Sequence, residues 1–404
     1  MMDIEKIRSK FPILSREIFG RPLIYLDNTA TSQTPAEVVD EITRIYGTSK
    51  ANVHRGVHKL SQDATELLEN TRNHICKYIN AAHSSEIIFT RGTTEAINLV
   101  ASSYGRRFRT GDEIILTVME HHSNIVPWQL LQSDAAIRIR VVRANSRGEL
   151  DIDQYSSLFN ERTVMAAFCH VSNVLGTINP VKEMVRIAHE NGVPCLIDGA
   201  QASPHLAIDV TDLDCDFYAF SAHKMYGPTG VGVLYGKKKL LEKMPPYQGG
   251  GEMIKHVSFQ GTTYADLPFK FEAGTPDFVG IAAFSKALDF IEEIGLENIE
   301  RHEMDLTDYA TSRLMEIEGM KIYGTSPRKS AVISFNVGDL HNHDIGILLN
   351  RLGVAVRTGH HCAQPLMESL GIPGTVRASF AVYNTKAEAD AFIAALRQVL
   401  DILR

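Results

Sequence analysis

The 404-residue chain has no apolar run approaching the ~20 residues that a helix needs to cross a bilayer, so no membrane span is expected. It has no excess of base either. The formal net charge of -7 gives no electrostatic reason to expect nucleic acid or an anionic membrane as partner. Cysteine is sparse: Cys76, Cys169, Cys195, Cys215 and Cys362 stand scattered, without CxxC spacing. An odd, dispersed set fits free thiols in a reducing cytoplasm and argues against a disulfide scaffold. Met1 to Pro12 mixes acids and bases without an apolar stretch, so no secretion signal is read there. Internal repeats and low-complexity tracts are missing as well. What is present, 44% hydrophobic and 22% charged residues, is the composition of a globular protein with a large core.

The organising pattern is alternation. Short apolar runs at Glu86–Thr90, Glu113–Val118, Ile137–Val142, Val164–His170, Cys195–Asp198, Phe217–Phe220 and Val231–Tyr235 are separated by helical stretches. Several are apolar on both faces, as in a sheet covered by helices on each side. One βαβ unit is legible: strand Val164–His170, then Asn179-Pro180, a helix ending at Asn191-Gly192, and strand Cys195–Asp198. The expected class is α/β, with a large domain over residues 23–285 whose mainly parallel seven-stranded sheet has helices on both faces. An N-terminal arm over 1–22 is expected to pack with a smaller α+β C-terminal domain, residues 286–404. Thr34-Pro35 predicts a cap followed by proline at the first helical position. Pro245 to Pro276, with Gly249-Gly250-Gly251, reads as a long excursion near a site or an interface.

Ligands of open α/β sheets bind at the carboxyl ends of the strands, so the residues there carry the functional argument. Arg91-Gly92-Thr93-Thr94-Glu95 opens a helix and offers N–H groups, hydroxyls and a positive dipole end to a phosphate. Its plain alternative is an N-cap with an acidic first turn. Glu120-His121-His122-Ser123-Asn124 holds an imidazole able to stack on a ring, and Ser172-Asn173 ends the fourth strand. In Asp198-Gly199-Ala200-Gln201, a carboxylate at the end of an apolar strand can hold a pyridine nitrogen protonated; otherwise it is a capping Asp. Ser221-Ala222-His223-Lys224 precedes Gly-Pro-Thr-Gly, which forbids a helix. A lysine at the end of a buried strand is costly unless paired or chemically used, and one use is a Schiff base with pyridoxal phosphate. Each feature alone has a bland reading. Together, successive strand ends carry what one phosphorylated pyridine aldehyde needs.

These stretches are joined by Tyr25-Leu26-Asp27-Asn28, Asn52-Val53-His54-Arg55-Gly56-Val57-His58, Glu272-Ala273-Gly274-Thr275-Pro276 and Arg357-Thr358-Gly359-His360-His361-Cys362-Ala363. Over nearly the whole chain the set resembles pyridoxal-phosphate enzymes of the aminotransferase class V family, and within it the SUF-type (group II) cysteine desulfurases. The resemblance implies Lys224 as the Schiff-base lysine, Asp198 as the pyridinium partner and His121 stacked on the ring. Gln201 and Asn173 are then expected at the ring oxygen and the substrate side, with Thr93, Thr94, Ser221 and His223 at the phosphate. Thr275 is expected to reach the phosphate of a neighbouring subunit, which implies a homodimer. Arg377, on strand Val376–Val382, is expected to grip the substrate carboxylate; without the resemblance it reads as a surface arginine paired with an acid. Cys362 is expected to take the sulfur as a persulfide, in a mobile loop with imidazole neighbours that favour a thiolate. His360, His361 and Cys362 lack further ligands at suitable spacing, so no metal site is expected. The implied activity is conversion of L-cysteine to L-alanine, with sulfur passed to an acceptor protein of iron–sulfur cluster assembly. Selenocysteine lyase activity on L-selenocysteine is the alternative, and kynureninase a more distant one. The resemblance also points to a zinc-containing acceptor at His343; its plain alternative is the start of a helix capped by Asp344. Thr29 stands where relatives often carry alanine.

Overall fold

A computed structural model describes residues 2–404. Seven strands form the large sheet: β1 (Ile87–Thr90), β2 (Glu113–Thr117), β3 (Arg138–Val142), β4 (Thr163–Cys169), β5 (Cys195–Asp198), β6 (Phe217–Ser221) and β7 (Gly232–Gly236), in the order β1-β7-β6-β5-β4-β2-β3. From β6 to β3 all neighbours are parallel, whereas β7 runs antiparallel to both β6 and β1. The link from Ser221 to Gly232 is too short for a crossover helix, so β7 can only return antiparallel.

Every residue of β2, β5, β6 and β7 is buried. Successive residues of each strand feed opposite cores. Phe89, Ile115, Phe168, Ile197 and Phe220 belong to one apolar cluster. Ile88, Leu116, Ala167, Leu196 and Ala219 belong to the other. Helix α1 (Lys59–Tyr78) and, later in the chain, a helix over Phe278–Ile294 pack together and contribute Leu68, Ile75, Phe284 and Leu288 to the first cluster. Helix α2 (Thr93–Tyr104) supplies Ile97 and Val100 to the second. The anticipated βαβ helix is α3 (Val181–Glu190), and the Phe278–Ile294 helix is α4.

The last part of the chain builds a second, four-stranded antiparallel sheet: β8 (Met320–Tyr323), β9 (Val332–Val337), β10 (Arg357–Gly359) and β11 (Thr375–Ser379), in the order β8-β9-β11-β10. Helices α5 (Asn342–Arg351) and α6 (Lys386–Leu403) cover it around a core of its own, with Phe335, Leu349, Phe392 and Leu396. The first residues touch both parts. Phe11 packs against Tyr226, Phe290 and Tyr383, and Arg8 pairs with Glu388 at 2.8 Å. Among the described residues no helix is long and apolar enough to cross a membrane.

Some boundaries differ from the expectation. Pro35 is the N-cap itself, with the helix starting at Ala36, and Thr34 makes no capping bond. β11 stops at Ser379, short of Val382. Helix α5 is capped by the His341 ring, which accepts the His343 N–H; Asp344 lies inside the first turn. The excursion after Pro245 contains an exposed hairpin, Ile254–Ser258 with Gly261–Tyr264. Its return is anchored by Glu272, which pairs with Arg72 at 2.7 Å and accepts the Phe89 N–H.

Candidate active site at the carboxyl edge of the large sheet

The loops that follow β1, β2, β4, β5 and β6 meet above the sheet edge. They enclose a cavity of about 180 Å³ lined by Thr93, Thr94, His121, Asn173, Asp198, Gln201, Ser221, His223, Lys224 and Arg377. Thr29, Ser123, Cys169, Arg357 and His361 also line it. Larger hollows of about 950 and 900 Å³ lie beside Pro245–Gln248 and along α3. Size does not decide between them: the smaller cavity is the one where an amine, a buried carboxylate and a buried guanidinium converge.

One end of the cavity is built for an anion. Gly92 caps α2, so both Thr93 and Thr94 sit in its first turn, where backbone N–H groups lack intrahelical partners. Thr93 N–H donates to Ser221 Oγ at 2.8 Å, and the two hydroxyls lie 2.7 Å apart. Thr94 and Ser123 share a hydroxyl contact of 2.7 Å. The Gly92 turn rests directly on β7, since a Cβ at Gly232 would fall 2.3 Å from Gly92 Cα. His223 Nδ1 lies 3.1 Å from Thr31 Oγ1. Burial, then the neighbouring Lys224 charge, push this histidine down to about 4, which keeps it neutral.

The middle holds the groups suited to a ring. His121 follows β2, and its Nδ1 accepts the Ser123 N–H at 3.1 Å. Burial first, and then Lys224, push its pKa down to about 3. The preceding Glu120 is a buried carboxyl that accepts the Cys169 N–H (3.0 Å) and the Asn124 side-chain amide (2.7 Å), tying the loop to β4. Burial raises it to about 7. Asp198 ends β5 and accepts the Ala200 N–H at 3.0 Å; burial raises its pKa while Lys224 opposes that rise. Lys224 itself is lowered by burial to about 8, with Asp198 acting the other way and Arg377 and Arg357 adding to the lowering. Among the described residues its amine has no hydrogen-bond partner, only charges around it.

The far end belongs partly to the small sheet. Arg377 is fully buried on β11, with Nη1 donating to Asn173 O and Nη2 to Asp27 Oδ1, both at 3.0 Å. Among the described residues its buried Nε has no partner. Burial, resisted by Asp27, lowers it only to about 10, so the guanidinium stays charged at neutral pH. Gln201 Nε2 donates to Thr29 O at 2.8 Å, and Asn173 Nδ2 to His361 O at 2.8 Å.

Cys362 stands next to this wall, in the loop after β10. His361 and Cys362 take φ values of 53° and 56°, a left-handed conformation that costs non-glycine residues about 1–2 kcal/mol each. Tethers hold the loop in it: His122 N–H donates to Cys362 O at 2.7 Å, and Cys362 N–H to His360 Nδ1 at 3.1 Å. The expected imidazole neighbour is therefore engaged with the backbone. The group at the sulfur is Arg357, whose Nη2 lies 3.7 Å from Cys362 Sγ. Thr275 is outside the cavity, 3.3 Å from Asn52 Oδ1, beside a separate hollow with Arg91 and Gln248. The sequence suggested no role for Arg357 or Asp27, though both lie in stretches that carry the resemblance, and His361 was read only as an imidazole neighbour of Cys362. The pairing of Arg357 opposite Arg377 across β10 and β11 has no periodic signal that would have disclosed it.

Residues 24–392 match the model of the family described as aminotransferase class-V. The chain belongs to that family. Within the class-V aminotransferases it groups with the cysteine desulfurases, which depend on pyridoxal 5′-phosphate. It is 49% identical, over 99% of both chains, to a cysteine desulfurase of Yersinia pseudotuberculosis and to one of Yersinia pestis. Among solved structures, the cysteine desulfurase CsdA of Escherichia coli superposes with a TM-score of 0.93 at 38% identity, covering 100% of each chain. The apo cysteine desulfurase of Thermococcus onnurineus NA1 gives 0.95 at 40% identity, covering 100% of this chain and 99% of its own.

The cavity suits the cofactor of the class-V aminotransferases. A helix N-terminus with hydroxyls faces one end, a buried carboxylate with one hydrogen bond lies in the middle, and an amine without a hydrogen-bond partner lies beside it. These are the donor, acceptor and nucleophile types that a phosphorylated pyridine aldehyde engages.

Proposed function

We propose that the protein converts L-cysteine to L-alanine, receives the sulfur on Cys362 as a persulfide, and passes it to an acceptor protein for iron–sulfur cluster assembly in the cytoplasm. The observation that carries this reading is the convergence of Lys224, Asp198 and Arg377 on one cavity whose wall, at Arg357, touches a cysteine sulfur. When bound, pyridoxal phosphate supplies an electron sink for bonds at the substrate's α- and β-carbons.

The residues divide the work. Thr93, Thr94, Ser221 and His223 hold the phosphate, and His121, neutral by burial, stacks on the ring. Asp198 keeps the pyridine nitrogen protonated, and Gln201 and Asn173 orient the ring oxygen and the substrate. Arg377 receives the substrate carboxylate, its guanidinium held in place by the Asn173 carbonyl and Asp27. Lys224 anchors the aldehyde. Once released, with a pKa of about 8, it accepts the α-proton at Nζ near neutral pH.

The Cys362 thiolate then attacks the substrate sulfur. Sγ supplies the electron pair of the new S–S bond, and the carbon–sulfur bond breaks with its pair left on the β-carbon. The proton of the substrate thiol ends on that carbon, Lys224 Nζ returns its proton to the α-carbon to give alanine, and the negative charge leaves on the terminal sulfur of Cys362–S–S⁻.

The active form in this reading is a homodimer, with Thr275 of each subunit reaching the phosphate of the other site. His343, exposed at the start of α5, is available to an acceptor. Selenocysteine is a second substrate whose turnover does not need the thiol. In Cys362→Ser, alanine release from cysteine is expected to fall at least ~100-fold, a barrier increase of about 2.7 kcal/mol, while release from selenocysteine persists. Full retention of cysteine turnover would sink the desulfurase reading.

A further inference from the structure

We propose that Arg357 is a catalytic residue of this site: it holds the Cys362 sulfur as an anion aimed at the cavity and carries the persulfide's charge after transfer. This rests on the cysteine desulfurase reading above. Arg377 has Asp27 as its counterion, and Lys224 has Asp198 nearby. Arg357 lies directly opposite Arg377 in the strand register, yet among the described residues it forms no ion pair with any carboxylate. Among the described residues its one polar side-chain contact is Cys362 Sγ, at 3.7 Å.

Position supports the same assignment. Arg357 belongs to the cavity wall and Cys362 does not, so the guanidinium spans the gap between the reacting space and the thiol. A half-buried cation there is poorly screened and attracts an anion more strongly than it would in water. With the substrate carboxylate directed to Arg377, the anion left for Arg357 is sulfur. Its planar fork can contact both atoms of an S–S bond about 2.05 Å long, so the same side chain serves the thiolate before transfer and the terminal sulfur after it. A lysine would supply the charge without the fork.

The test uses holoenzyme of Arg357→Gln and Arg357→Lys, with cofactor absorbance reporting intact folding. Alkylation of Cys362 by iodoacetamide at pH 7, without substrate and followed by peptide mass spectrometry, is expected to slow about tenfold in the Gln variant and less in the Lys variant. In steady state, kcat should fall about tenfold while KM for L-cysteine stays within about threefold. Arg377→Gln should show the reverse pattern, a raised KM with normal alkylation. Wild-type alkylation in Arg357→Gln, or a loss carried wholly by KM, overturns the assignment and makes Arg357 a carboxylate ligand. That failure is separate from the Cys362→Ser outcome, which bears on the desulfurase reading itself. If Arg357→Gln loses its cofactor, Arg357→Met takes its place in the alkylation assay: a wild-type rate overturns the proposal, and a lowered rate sustains it.

Discussion

Burial sets the protonation of the histidines around the sheet edge. His121, His223 and His361 at the cavity are held at about 3, 4 and 2, and His170 just beyond β4 at about 4, in each case chiefly because the charged form is desolvated. His170 is 8% exposed and contacts the Tyr218 hydroxyl at 3.0 Å. An unfolded chain takes up the same proton near pH 6.5, so its histidine binds protons first as pH falls. The stability from neutral His170 is therefore complete above ~6.5 and declines toward pH 4, by up to about 1.4 kcal/mol per pH unit. Thermal melts at pH 7, 6 and 5 should show a falling Tm, and His170→Asn should flatten that fall. An equally steep fall in the variant would refute the assignment. The sequence displays these imidazoles, but which of them can titrate is a property of their burial.

Among the elements, α1, β1 and the return of the long excursion are locked by one buried ion pair. Arg72, 1% exposed, donates to Glu272 at 2.7 and 2.9 Å, to Glu69 and to Ile87 O. Removing one partner of such a pair strands the other charge, so Glu272→Ala is expected to cost about 3–5 kcal/mol, read from the urea midpoint. A cost under about 1 kcal/mol would mean that Glu69 alone satisfies Arg72. The strands were legible because runs apolar on both faces belong in covered sheets. Caps were less legible. A histidine ring at His341 takes the place expected of Asp344, because any acceptor that reaches the first-turn N–H will serve. The Arg72–Glu272 contact joins residues 200 positions apart, and no local pattern encodes it.

In the whole molecule, two sheets with separate cores meet at the cavity, and the second one brings Arg377, Arg357 and the cysteine loop. Thr275 faces away from its own cavity. If it completes the phosphate site of a second copy, subunits of Lys224→Ala and Thr275→Ala, each impaired alone, should regain activity when mixed and allowed to exchange. In the hybrid, the site with intact Lys224 receives the partner's Thr275. Activity no greater than the sum of the separate variants would exclude the shared site.

The sequence by itself determined the fold class, the order of the strands along the chain and the chemical kind of each strand end. Those are local properties: apolar faces, turns, and the donors and acceptors that follow a strand. Only the tertiary structure decided the rest. It returned β7 antiparallel, set Arg357 opposite Arg377, engaged His360 with a backbone N–H and gave the Cys362 sulfur a guanidinium neighbour. Each of these depends on register and on contacts between distant segments. Both come from the burial of whole faces against one another, which no single stretch of residues specifies.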